Sequence, residues 1–123
     1  MTSMQQAHAA YKTTSVQTKT DRALEFEAIA QVTTKLRAAG NGDKNFGVLV
    51  KAVSENRQLW NFIASCVSDP QNKLPSNLKA QLFFLSEFTS LHSKKVLKEE
   101  ADALPLIDIN MSIMRGLRME LGE

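Results

Sequence analysis

The chain has 123 residues, 43% of them hydrophobic, which is enough to fold as a single domain around one core. Lys and Arg total 15 against 13 Asp and Glu, and the resulting formal charge of +2 is too small to indicate a polyanionic partner such as nucleic acid. The single cysteine, Cys66, excludes an intrachain disulfide, and with only 2 histidines we expect neither a structural zinc site nor a cofactor.

The first third of the chain predicts a mobile N-terminal segment followed by one long helix. Residues 1–20 are mostly polar, and we expect at most a short helix in them, around residues 5–11. Asp21, or alternatively Thr20, is placed to cap the long helix, in which apolar residues recur every three to four positions. Gly40 is expected to end this helix, because glycine readily adopts the left-handed conformation found after helix C-termini.

Two more long helices and a shorter one are predicted, and prolines mark their boundaries. Asp43 is placed to cap the first of these, which should end before Asp69 because proline disfavours helical geometry in the preceding residue. The second begins near Pro75 and is apolar around most of its circumference. Its expected inner face comprises Leu78, Leu82, Leu85, Leu91 and Val96, broadened by Phe83, Phe84 and Phe88. The last helix begins near Pro105, a favourable first-turn residue, and carries Leu106, Ile109, Ile113 and Leu117 on its expected buried side.

These elements predict an all-α fold, an antiparallel bundle of about four main helices in one domain spanning residues 1–123. The beginning of the chain lacks a basic region followed by an apolar run. No uncharged apolar stretch reaches the ~18 residues needed to cross a bilayer, so we expect a cytoplasmic protein. Enzyme activity is not expected. The acidic residues near Glu99 are typical of a hydrated helix end, and Gly40-Asn41-Gly42 lacks the lysine of a phosphate-binding loop.

Three blocks of residues carry a resemblance to a known family. They are Asn56-Arg57-Gln58-Leu59-Trp60; Asp69-Pro70 with Asn72, Leu74 and Pro75; and Asp108-Ile109-Asn110 with Ile113, Met114, Gly116 and Leu117. In this order and at these separations, from about Tyr11 to Leu117, they resemble the flagellar biosynthesis regulator FlaF family. The more aromatic helix around Phe83-Phe84 and Glu87-Phe88 departs from the aliphatic pattern of that family.

The resemblance implies a small cytoplasmic protein that binds flagellin as a secretion chaperone and promotes flagellin synthesis. It also implies a second regulator, FlbT, which acts in opposition on flagellin expression. Terminal segments of flagellin form amphipathic helices, and an exposed apolar groove on a helical protein could hold such a segment before export. We therefore expect flagellin as the partner, with FlbT as a further candidate, and no membrane or small-molecule substrate.

Eight residues are candidates for binding the partner, chosen because aromatic and methionine side chains make adaptable apolar contacts and polar groups can bond to a backbone. They are Asn56, Arg57, Trp60, Phe83, Phe84, Asn110, Met111 and Met114. Each also has a structural interpretation. Trp60 at helical spacing is typical of a core residue, Met114 borders the buried stripe, and the two asparagines could tie neighbouring helices together, with Arg57 paired to Asp108.

Two other functions remain open at this point. The protein could regulate flagellin messenger RNA, or act through FlbT, without binding flagellin, and a basic patch on the folded surface would favour the RNA contact. It could instead be a structural adaptor whose surplus apolar surface makes a homodimer. The small net charge makes direct nucleic-acid binding the least expected of these interactions.

Overall fold

The structure of the chain, a computed structural model, describes residues 18–40 and 45–120, with side chains for 26–40 and 45–117. The described residues form four helices and no strand, which confirms the predicted all-α fold. The helices are α1 (Thr18–Gly40), α2 (Phe46–Ser68), α3 (Ser76–Leu97) and α4 (Leu104–Glu120). The short helix predicted around residues 5–11 and the cap predicted at Asp43 lie outside the described residues.

The helix ends follow the glycine and proline signals more closely than the predicted caps. Gly40 is the last residue of α1, as expected, but α1 begins at Thr18, so Asp21 and its alternative Thr20 both lie within the first turn and neither occupies the N-cap position. The residue that caps α2 is Asn45, whose side chain accepts a hydrogen bond from the Val48 amide at 3.3 Å. An asparagine oxygen satisfies one of the free amides of the first turn as well as an aspartate would.

The connection between α2 and α3 is a compact turn built by side chains of the second family block. Asp69 accepts a hydrogen bond from the Gln71 amide, and Asn72 accepts one from the Leu74 amide, both at 2.9 Å. The Asn72 amide group also donates to the Cys66 carbonyl at the end of α2, at 3.0 Å. The bond to Cys66 satisfies a carbonyl in the last turn of α2, and the other two bonds fix the backbone of the turn, so α3 can reverse direction within seven residues.

Helix α2 is the centre of the bundle, with α1 on one side and α3 on the other, while α4 packs mainly against α1. The main core cluster lies where the ends of α1 and α3 meet the beginnings of α2 and α4. Its buried members are Leu36, Ala39, Ala52, Val53, Val96 and Leu106. An ion pair between Lys35 and Glu55, at 3.0 Å, joins α1 to α2 on the surface above it.

The opposite end of the bundle is much less enclosed. There α2 ends, α3 begins and α4 ends, because consecutive helices run antiparallel. No residue in 76–85 or in 111–117 is fully buried, although both ranges contain several leucines, isoleucines or aromatic residues. The fold therefore concentrates its core at one end and leaves apolar side chains partly uncovered at the other.

Candidate partner-binding surface

The third helix is oriented with polar side chains inward and large apolar side chains outward. Its four buried residues are Ser86, Thr89, Ser93 and Val96. They are separated by three, four and three positions, so they form one face of the helix. Small side chains on this face allow α3 to lie close to α2, since the distance between helix axes depends on the residues at the contact.

The large apolar residues of α3 consequently face solvent. Phe84 is 66% exposed and Leu91 is 61% exposed, while Phe83 and Phe88 are exposed to a smaller degree. The placement of Leu91 on the inner face was wrong. Apolar residues occur on most sides of this helix, so several rotations about its axis would bury some of them. The close packing of Ser86, Thr89 and Ser93 against α2 selects the rotation that turns Leu91 outward.

A groove lies between the first half of α3 and the second half of α4, where the two helices make few contacts. It has a volume of about 470 Å³ and is open to solvent along one side. The side of the groove formed by α3 is lined by Leu78, Ala80, Gln81, Leu82, Phe84 and Leu85, and α4 contributes Ile113 on the opposite side. The three leucines and Ile113 are half-buried, so each keeps part of its side chain available to a partner.

Three of the predicted partner-binding residues are instead joined to one another inside the bundle. The Trp60 indole donates a hydrogen bond to the Asn110 Oδ1 at 2.9 Å, and the Asn110 Nδ2 donates to the Asn56 Oδ1 at 2.8 Å. All three side chains are almost completely buried. The bonds link α2 to α4, which is the structural interpretation of these residues, and in this structure no partner can reach them.

The other five predicted residues are at or near the surface. Phe83 and Phe84 are both exposed, so neither belongs to the core. Arg57, Met111 and Met114 are half-buried, and the expected ion pair between Arg57 and Asp108 is not among those that the described residues form. Of the eight candidates only Phe84 lines the groove.

The sequence interpretation missed the groove residues Leu78, Leu82, Leu85 and Ile113 as binding candidates, because it assigned them all to the buried faces of two helices. The signal that could have indicated them is the surplus of apolar residues on α3, more than one helix face can bury.

Met111 lines a second depression of about 460 Å³ with Arg37, Leu104, Ile107 and Asp108, at the other end of the bundle. Charged groups rim that depression, so it is less suited to an apolar partner.

In the ranges 26–40 and 45–117, no three side chains of the metal-binding types lie together. His92 is engaged through its Nε2 with the Asp102 carbonyl at 2.8 Å and stacks on Phe88 with ring centroids 5.5 Å apart. None of the four helices is both long and apolar enough to cross a membrane within its described residues.

The chain is thus a small helical bundle whose surface carries an apolar groove that is open to solvent on one side. The sequence model of one family, described as flagellar protein FlaF, matches residues 7–117. The chain therefore belongs to the FlaF family of flagellar proteins, which confirms the resemblance carried by the three residue blocks. No curated protein and no solved structure shows significant similarity to the chain.

Proposed function

We propose that this protein is a cytoplasmic flagellin-binding secretion chaperone that also promotes flagellin synthesis, and that it works by binding and not by catalysis. The groove between α3 and α4 would hold an amphipathic helical segment from one end of flagellin. Such segments bury their apolar faces only in the assembled filament, so an exported subunit needs a temporary apolar partner. Membership of a flagellar protein family supports flagellin as the client.

The observation that carries the proposal is the aliphatic lining of the groove. Leu78, Leu82 and Leu85 lie at spacings of four and three along α3, so they form a continuous row facing Ile113 across the opening. A helix laid between these walls would contact both with residues at positions i, i+3, i+4 and i+7. The leucine row can therefore select an amphipathic helix without reading a particular sequence, which suits a client that must later be released.

A helix that covers the groove together with the apolar surface around it is expected to bind with moderate affinity. If binding removes roughly 600 Å² of apolar surface from water on the two partners together, the gain is about 15 kcal/mol at ~25 cal/mol per Å². Ordering a flexible segment and losing rigid-body freedom offsets roughly 5–10 kcal/mol of this. The remainder, about 5–10 kcal/mol, corresponds to a dissociation constant near the micromolar range.

A binding experiment with a matched pair of variants tests the proposal. Fluorescently labelled peptides of the N-terminal and C-terminal segments of flagellin are titrated with the full chain, and anisotropy gives the affinity for each. Leu78→Glu should weaken binding of the recognised segment by at least about tenfold, because it places a carboxylate in an apolar contact. A glutamate is well tolerated at this position in the first turn of α3, where the helix dipole favours negative charge.

Leu104→Glu is the control, since it makes the same change in the first turn of α4, at an exposed residue outside this groove. It should bind flagellin like the unchanged chain. Absence of binding to either segment at about 100 μM would overturn the proposal, as would equal binding by the two variants. In the first case, a regulator that acts on flagellin messenger RNA or through FlbT would become the better interpretation.

A further inference from the structure

The outward face of α3 carries a row of apolar residues that is separate from most of the groove. We call Phe84, Phe88 and Leu91 the aromatic stripe. They are spaced by four and three positions, and the next step of four leads to the exposed Lys95. Alternating steps of four and three place residues on one narrow seam of a helix, which is the spacing of the core positions in coiled coils. The stripe lies opposite the buried Ser86, Thr89 and Ser93, so the bundle itself cannot cover it.

Charged residues beside the stripe indicate what could cover it. Glu87 and Lys94 are both exposed and lie on the same flank, seven positions apart. When two such helices pair antiparallel, with Phe88 of each packed against Leu91 of the other, residues on this flank face the same flank of the second copy. Glu87 of each copy then lies opposite Lys94 of the other, so the two-fold arrangement contains two pairs of opposite charge.

The ends of the stripe are also self-complementary in this register. Phe84 of one copy lies opposite Lys95 of the other, and the lysine can lay its aliphatic chain along the ring with its ammonium group near the ring face. A parallel pairing would instead stack each stripe residue on its own equivalent and would not bring Glu87 to Lys94. Shape and charge therefore both favour an antiparallel second copy over a parallel one.

We propose that the aromatic stripe is a homodimer interface in which α3 packs antiparallel against α3 of a second copy of this chain. Its three large side chains alone fall short of the roughly 800 Å² per partner found in standard stable interfaces. The dimer is accordingly weak and reversible, with a dissociation constant of about 10–100 μM. Dimerisation shields Phe84 and Leu91, which are the two most exposed large apolar residues among the side chains that the structure describes. It leaves Leu78, Leu82 and Ile113 of the groove outside the contact.

Sedimentation equilibrium of the full chain, without flagellin, tests this interface. Over about 1–300 μM the average mass should rise from 13.7 kDa toward twice that value. Leu91→Glu should keep the chain monomeric across the range. Glu87→Lys and Lys94→Glu should each weaken the dimer by about three- to tenfold, because each change opposes like charges twice, and the double variant should restore it. Lys51→Glu reverses an exposed charge on α2 and should leave the dimer unchanged.

A chain that stays monomeric throughout the range would overturn the proposal. A dimer that tolerates Leu91→Glu would do so too, because the contact would then use another face. Failure of the double charge exchange to restore association would contradict the antiparallel register. Circular dichroism confirms that each variant is folded, which is expected because all these positions are exposed. The flagellin test depends on Leu78, which is not in the stripe, so either proposal can fail while the other stands.

Discussion

Replacing Asn110 by alanine tests whether the buried amide network stabilises the bundle. The substitution removes both hydrogen bonds of this side chain, which measure 2.9 Å to Trp60 and 2.8 Å to Asn56. The Trp60 indole N–H and the Asn56 Oδ1 are then buried without partners, and each such group costs about 1–3 kcal/mol. With the small cavity that alanine leaves, the expected loss is about 3–5 kcal/mol, a large part of the ~5–15 kcal/mol that a domain has.

Urea unfolding measures this loss directly, because Trp60 is the only tryptophan and its fluorescence reports on the network itself. With a slope of about 1.5 kcal/mol per M for a domain of this size, the midpoint should fall by roughly 2–3 M. Circular dichroism provides a second probe that is independent of the indole. Asn61→Ala is the matched control, since Asn61 is exposed on α2, and it should change the stability by less than about 0.5 kcal/mol.

A loss of stability below about 1 kcal/mol for Asn110→Ala, or one equal to that of the control, would mean that the buried amide network does not stabilise the bundle. A double-mutant cycle with Asn56→Ala adds a second criterion. If the two asparagines act as one network, the combined loss should differ from the sum of the single losses by about 1 kcal/mol or more. Strict additivity would mean that the two side chains stabilise the fold independently.

Three further predictions concern the polar interior, the exposed face and a helix cap, all measured by urea unfolding. Thr89→Val should leave the free energy of unfolding unchanged or raise it by up to about 1 kcal/mol, because the buried Thr89 hydroxyl has no hydrogen-bond partner. Thr33→Val should lower it by about 1 kcal/mol, because it removes the 2.6 Å hydrogen bond from the Thr33 hydroxyl to the Ile29 carbonyl. Leu91→Gln should lower the free energy of unfolding by less than about 0.5 kcal/mol, and Leu106→Ala in the core should lower it by about 2–5 kcal/mol. Equal losses for the two variants would contradict the outward orientation of Leu91 on α3. Asn45→Ala should cost about 1 kcal/mol and Asn45→Asp almost nothing, and an equal loss for both would mean that the cap bond contributes little.

Much of the fold follows from local signals that the sequence displays directly. Gly40 and the residues before Pro70 end their helices where expected, and Pro75 and Pro105 stand at the beginnings of theirs. These residues act on the backbone dihedrals of their immediate neighbours, so their effect does not depend on the rest of the chain. The predicted caps were less accurate, because several polar residues near a helix start can bond to the same free amides.

The core position of Trp60 also follows from sequence, since its helical spacing from Val53 places both on the face of α2 that the bundle buries. The identity of the hydrogen-bond partner of Trp60 does not follow from the sequence. Asn110 lies 50 positions away, and periodicity shows only that a polar residue borders an apolar stripe on a later helix. A buried indole N–H requires an acceptor, but which of several asparagines supplies it depends on how α4 is placed against α2.

Local residue patterns are sufficient to predict that this chain forms a small helical bundle, where its helices change direction, and that it carries more apolar surface than one core requires. Which part of that surface stays uncovered depends on how the helices pack against one another. Helix α3 is apolar on most sides, so its own periodicity does not select a rotation, and the close fit of Ser86, Thr89 and Ser93 against α2 makes the choice. That contact turns Leu91 and Phe84 toward solvent and, with α4 packed mainly on α1, leaves the groove open.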